Sequence, residues 1–139
     1  MSRPQPEMPR PALKAMLVCD RAIREQGTNK TSLVGIFDRV TSAGFPMQYV
    51  GGVSVYVRVT DAEGQYQMRL ELVRLEDEQT IGRGEVTAEI PSRMGSHDLT
   101  YNIAQLVFER PGTYEFRLFA NGLFVGGAPL YVVQSGEET

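Results

Sequence analysis

Val53-Ser-Val-Tyr-Val-Arg-Val-Thr60, then Asp61-Ala-Glu-Gly64, then Gln65-Tyr-Gln-Met-Arg-Leu-Glu-Leu72 is a stretch in which apolar and polar residues alternate twice around a turn signal. A period of two marks a half-buried strand, because successive side chains leave a pleated backbone on opposite sides. The four residues from Asp61 to Gly64 suit a type I turn closed by glycine, so the spacing predicts a hairpin that pairs Thr60 with Gln65. That register sets Val59 beside Tyr66, Val57 beside Met68, Val55 beside Leu70 and Val53 beside Leu72, all on one face. Arg58 with Gln67, Tyr56 with Arg69 and Ser54 with Glu71 then form the other face. A slip of one residue would mix the two faces, so turn and pattern support one reading.

A second hairpin is predicted over 113–125, folding about Asn121-Gly122. Asn-Gly is the strongest short-range signal for a type I′ turn, whose two central residues both need positive φ. Ala120 then opposes Leu123, Phe119 opposes Phe124, and Leu118 opposes Val125, with Tyr114, Phe116 and Leu118 inward. Gly126-Gly127 is expected to bulge the returning strand, which resumes over 130–133 beyond Pro129. Further strands are expected at about 13–20, 31–40, 79–90 and 98–108. The segment 31–37 is apolar on both faces, which suits a central covered strand or an oligomer contact. Gly27-Thr-Asn-Lys30 turns the first strand into the second, Pro91 stops a strand, and Pro111-Gly112 separates two more. No helical period is convincing, and 20–26 holds at most a short turn. About eight strands at this spacing predict an all-β fold, an antiparallel β-sandwich of the immunoglobulin-like or C2-like kind.

Bulk properties narrow the function classes. A chain of 139 residues is one domain and buries roughly two-thirds of its unfolded surface without staples. With one cysteine, Cys19, it cannot form an intramolecular disulfide, and Cys19 with the single His97 is too small a set for a zinc site. A reducing, cytoplasmic setting is expected. Residues 1–11 are proline-rich and lack an apolar core of the kind a signal peptide has, so a disordered lead-in is expected there, a single domain over 12–134, and a flexible tail over 135–139. No apolar run reaches bilayer length, so no membrane partner is expected. A net charge of −3 argues against nucleic acid as a partner.

Leu17-Val-Cys-Asp-Arg-Ala-Ile-Arg24, Gly27-Thr-Asn-Lys30 and Ser32-Leu-Val-Gly-Ile-Phe-Asp38 carry a resemblance, together with Phe45-Pro46, the Val-Tyr-Val-Arg strand and Pro111-Gly-Thr-Tyr-Glu-Phe-Arg117. On these residues the chain is similar to a bacterial family of small proteins known only as a domain of unknown function. The resemblance covers nearly everything after Pro11. It implies a single-domain β-sandwich and assigns no catalytic residue.

Candidate sites are correspondingly sparse. Asp20-Arg21 and Asp38-Arg39 recur on strands expected to pair, where two carboxylates could converge, although ion pairs at strand ends are ordinary. Asp61 and Glu63 share a loop tip, but two carboxylates fall short of the six to eight oxygens calcium takes. Ser96, His97 and Asp98 are chain neighbours that point in different directions, so a surface histidine is expected rather than a triad. Cys19, with Leu17 and Ala15 on its side, reads as an inert buried thiol. Tyr56 is expected to face Arg69, with Arg58 and Glu71 alongside, as a cation–π contact or a polar binding face. Phe119 and Phe124 are expected on the outward face beside the Asn-Gly turn, needing cover from a loop, a partner or a second copy.

The function expected is that of a non-enzymatic protein–protein interaction or self-association module, working through a strand edge or through Phe119 and Phe124, with no catalytic residue, cofactor or metal. The alternative is a small-ligand or carbohydrate-binding sandwich using Tyr56, Arg58 and Arg69, or loop residues near His97.

Overall fold

The computed structural model describes residues 8–136, and within them the chain is all-β, with nine strands and no helix. The strands are β1 (Ala12–Arg24), β2 (Thr31–Ile36), β3 (Arg39–Ser42), β4 (Met47–Thr60), β5 (Gly64–Arg74), β6 (Gln79–Ile90), β7 (Ser96–Phe108), β8 (Gly112–Ala120) and β9 (Leu123–Gln134). They form a four-stranded sheet A in the order β2-β1-β4-β7 and a five-stranded sheet B in the order β3-β9-β8-β5-β6. The two sheets share one core. Most of the expected lead-in, 1–7, and the end of the expected tail, 137–139, lie outside the described residues. Pro11 is buried, and the Pro9 carbonyl accepts a hydrogen bond from the Tyr66 hydroxyl at 2.6 Å.

The stretch from Val53 to Leu72 is not a hairpin. β4 pairs with β1 and β7, whereas β5 pairs with β6 and β8, so Asp61-Ala62-Glu63 carries the chain from one sheet to the other. None of the pairs expected between 53–60 and 65–72 is a register pair. The faces nevertheless came out correctly: Val53, Val55, Val57, Val59, Tyr66, Met68, Leu70 and Leu72 are all buried. Alternation specifies which side of a strand meets oil, and that side is the same whether the next strand lies beside it or across the core. The connection itself is a folded corner. Asp61 adopts φ +56°, Ala62 is buried rather than exposed at a turn tip, and the Glu63 amide donates to the Tyr66 hydroxyl at 3.2 Å. Tyr66 thus ties the corner to the Pro9 segment from inside the core.

Asn121 and Gly122 take φ values of +49° and +84°, and Phe119 pairs with Phe124 as the Asn-Gly signal predicts. Leu118, however, faces Gly126 rather than Val125, so Val125 is the extra residue and the bulge falls one position before the glycine pair. Asn121 also receives the Gln67 amide on its side-chain oxygen at 2.9 Å, which pins the turn to β5. The expected strand 31–40 is two strands in different sheets. β2 is the outer strand of sheet A, and after a bend at Phe37-Asp38 β3 joins sheet B parallel to β9. The all-antiparallel expectation therefore fails at β3, and the covered central strand fails at β2, which is an edge. The segment 20–26, read as at most a turn, is strand as far as Arg24 because it pairs with β2.

Between the sheets, Phe108 and Tyr114 meet edge to face with centroids 5.1 Å apart, and the Tyr101 hydroxyl of sheet A donates to the Met68 carbonyl of sheet B at 2.9 Å. Burial pushes the Tyr101 phenol well above its usual pKa, so this bond is kept in the neutral form throughout the ordinary pH range.

Candidate functional site

Three exposed regions carry the residues singled out from sequence. The first is the outer face of sheet B. Since Tyr114, Phe116 and Leu118 enter the core, Phe119 emerges opposite Arg69 of β5 and Phe124 of β9. The Phe119 and Phe124 rings meet edge to face at 5.7 Å, and the Arg69 guanidinium lies 4.6 Å from the Phe119 centroid while its Nε is 3.0 Å from Glu71 Oε1. Arginine and its neighbouring ring thus cover Phe119, whereas Phe124 is 51% exposed. The rest of this face is a ladder of alternating charges: Arg117 bonds Glu115 at 2.7 Å and Glu78 at 2.9 Å, and Arg83 stands opposite Glu71. That is a solvated surface with one apolar corner.

The cation–π contact expected from sequence therefore exists, but with a different ring. Arg69 and Tyr56 belong to different sheets. A double-mutant cycle is expected to give a coupling of about 0.5–1 kcal/mol for Arg69→Ala with Phe119→Ala, the range for exposed contacts of this type, and no coupling with Tyr56→Phe. Urea titrations of the single and double variants check it; coupling to Tyr56 would contradict the sheet assignment.

The second region is the outer face of sheet A, where Ser54, Tyr56 and Arg58 leave β4 beside Asn102, Thr100 and Asp98 of β7. Arg58 grips Asp98 with two parallel bonds of 2.8 and 3.1 Å, which holds the Asp98 carboxyl below its ordinary pKa. Ser54 donates to Asn102 Oδ1 at 2.8 Å. Although alternation points them away from the core, Tyr56 is only 7% exposed, and Ser54 and Cys19 are buried too. The tip of the β1–β2 hairpin accounts for this: Ala22, Arg24 and Thr31 share a cleft of about 270 Å³ with Asp98, Thr100 and Asn102, and Thr31 Oγ1 lies 3.5 Å from Asp98 Oδ2. Tyr56 accordingly offers no open ring on which a sugar could stack. Burial raises the Cys19 thiol pKa, which keeps it protonated and unreactive at neutral pH.

Other candidates remain dispersed. His97 lies within β7 opposite Val59, partly buried, rather than on a loop, and its neighbour Asp98 is committed to Arg58. Glu63 accepts from the Arg93 amide at 3.2 Å. Among the described residues no three His, Cys, Asp or Glu side chains, Asp20, Asp38 and Asp61 included, gather as metal ligands would. The buried charge Arg74 is structural: it forks onto Asp77 at 2.8 and 3.0 Å, closing the turn from β5 to β6 and holding the Asp77 carboxyl down at about 2.

The third region is the edge formed by β2. This strand pairs with β1 from Cys19↔Ile36 to Arg24↔Thr31, and its other side meets no strand among the described residues. Val34 and Ile36 are 45% and 58% exposed, and Ile23 and Leu17 of the neighbouring β1 are exposed as well. Where β2 bends away, an apolar cleft of about 390 Å³ opens between Met16, Leu17, Ile36, Phe37 and the Ala128-Pro129 segment of β9. Sequence pattern signalled this segment as apolar on both faces, but its place at an edge was not readable.

A model of the family described as a family of unknown function, DUF6941, matches residues 14–133. The chain belongs to the DUF6941 family. That match spans β1 to β9 almost completely, so the edge strand and the two outer faces all lie within the DUF6941 domain. No curated protein matches the chain. Among solved structures, a β-glucosidase from Listeria innocua, alone and in complex with isofagomine, aligns with TM-scores of 0.42 and 0.40 at 10% identity. The alignments cover 69% of this chain but 14% and 15% of the enzyme chains. A match at that level carries no argument about this DUF6941 chain. No helix of the described residues is long and apolar enough to cross a membrane.

Proposed function

We propose that the chain is a non-enzymatic binding module, an immunoglobulin-like or C2-like sandwich, that engages another protein chain by strand addition at the β2 edge. One observation carries the reading: β2, Thr31-Ser-Leu-Val-Gly-Ile36, is an edge strand without a single charged residue and with exposed Val34 and Ile36. An open edge is a template for pairing, and proteins blunt it with charge, proline, brevity or cover. The other edges carry such devices. β6 bears Arg83, Glu85 and Glu89, β3 is four residues long, and β7 runs beside β6. An edge left both neutral and apolar suits a surface that is covered when the protein works, through backbone bonds for affinity and side-chain contacts for specificity. The setting we infer is cytoplasmic, in keeping with a lone buried thiol.

Immobilised wild-type protein is expected to retain protein ligands, further copies of the chain included, that a Val34→Lys/Ile36→Lys variant loses by at least about tenfold, while the variant keeps its melting temperature because exposed substitutions shift stability within about 0.5 kcal/mol. Phe124→Ser, at the apolar corner of sheet B, is expected to leave retention unchanged. Loss with Phe124→Ser alone, or retention by both variants, would overturn the edge reading.

A further inference from the structure

We infer that the polar cleft between the β1–β2 hairpin and β7 is a binding site for a small carboxylate anion, held by the Arg24 guanidinium and the Asn102 side-chain amide. It concerns the outer face of sheet A and stands apart from strand addition at β2. Asp98, Thr100 and Asn102 form one row on that face, since Leu99 and Tyr101 between them enter the core. β1 pairs with β4 only as far as Cys19↔Ser54. Past that point Ala22 and Arg24 of β1, with Thr31 of β2, meet the row on β7 across the cleft of about 270 Å³. Ser54 and Tyr56 of the intervening β4 are buried. A charge beside such a poorly hydrated wall acts on a ligand more strongly than one in open water.

Donors in this cleft outnumber free acceptors. Asp98 is already engaged, its two oxygens by Arg58 at 2.8 and 3.1 Å and Oδ2 also by the Thr31 hydroxyl at 3.5 Å. Asn102 Oδ1 accepts from the Ser54 hydroxyl at 2.8 Å, which fixes the orientation of the amide and leaves the two N–H groups of Nδ2 to the cleft. Neither those groups, nor the Thr100 hydroxyl, nor the exposed Arg24 guanidinium has a partner among the described residues. Since Arg58 and Asp98 cancel, the charge left over is the positive one of Arg24.

A ligand matched to this set accepts hydrogen bonds and carries one negative charge. A carboxylate does both: its two oxygens take the guanidinium fork and keep further lone pairs for the Asn102 amide. A neutral ligand would leave Arg24 without a counter-charge, and a dianion such as phosphate would bring its second charge toward Asp98.

Titration of L-lactate into the isotope-labelled full chain, followed by NMR at constant ionic strength, tests this. Lactate offers one carboxylate and a hydroxyl within reach of Thr31 or Thr100. Saturable shifts are expected at the Asn102 side-chain amide and at Arg24, while lactamide, its neutral counterpart, is expected to give none, and inorganic phosphate to bind more weakly. Arg24→Gln and Asn102→Asp are each expected to weaken lactate by about tenfold or more. Asn102→Asp keeps an acceptor for Ser54 and nearly the same shape, but puts a negative charge where the donors were. Arg21→Gln removes the same charge from an exposed site on β1 that lines a separate cleft, beside Gly51 and Gly52, and is expected to leave lactate binding unchanged. All three positions are exposed, so the variants are expected to keep the wild-type melting temperature. Shifts that never saturate, or that fall away from the cleft, overturn the site. Equal loss in Arg21→Gln and Arg24→Gln reduces the effect to net charge and overturns it too. Lactamide or phosphate binding as tightly as lactate overturns the carboxylate as ligand.

Discussion

Replacing Phe116 with alanine is expected to destabilise the protein by about 3–5 kcal/mol, the range for emptying an aromatic site in a packed core. Phe116 sits on β8, near the middle of sheet B, between Leu72 of β5 and Ala128 of β9, and its side chain is fully buried. Both flanking strands are held by backbone bonds, so the walls of the hole cannot collapse inward to refill it, and the cavity term adds to the lost transfer energy. Domains are typically stable by about 5–15 kcal/mol, so this variant should lie close to unfolding at room temperature. Urea titration reads the change directly as a lower midpoint at constant slope. Phe124→Ala, at the exposed corner, is the matched control and should shift stability by no more than about 0.5 kcal/mol. Equal effects from the two phenylalanines would mean that β8 does not present alternate faces to core and solvent as described.

The second large effect is expected at Gly127. A Cβ there would stand 2.6 Å from the carbonyl oxygen of Phe116 and 3.3 Å from the Glu115 side chain. The closer atom is backbone, held in the β8–β9 ladder, so it cannot swing aside as a side-chain tip would. Gly127→Ala should therefore push the two strands apart and cost about 1–3 kcal/mol, as overpacked sites do. Gly44, with nothing within 4 Å of an added Cβ, is the control, and its alanine variant should be neutral. Gly35 is a different case. Its φ of +69° is one that residues with a side chain rarely adopt, and the Asp20 carboxylate occupies the space a Cβ would take. If Gly127→Ala melted with wild-type midpoint, the close pairing of β9 on β8 would be refuted.

Legibility followed the range of the physics. Asn121-Gly122 was readable because positive φ at two consecutive residues is a local demand that Asn and Gly meet cheaply. The bulge after it was misplaced by one residue because Val125, Gly126 and Gly127 can each absorb a kink, and what selects Val125 is the pairing of Gly126 with Leu118. Arg69 over Phe119 was not readable: the two residues are far apart in sequence and meet only because β5 lies beside β8. The same holds for Arg58 and Asp98, joined across β4 and β7. The β2 edge was half readable. Its apolar composition stood out, but a strand apolar on both faces can be central or can be waiting for a partner.

From its residues alone this chain determined strands, several of their ends and the side of each that meets the core, because alternation, proline, glycine and Asn-Gly act within a few residues of themselves. The tertiary structure decided which strands are neighbours. Val53–Thr60 and Gln65–Leu72 present the same buried valines, leucines and tyrosine to the interior whether they lie side by side or on opposite walls of it. Backbone amides and carbonyls bond any strand equally well, so neighbour choice rests on the packing of side chains distant in sequence, which a local pattern does not encode.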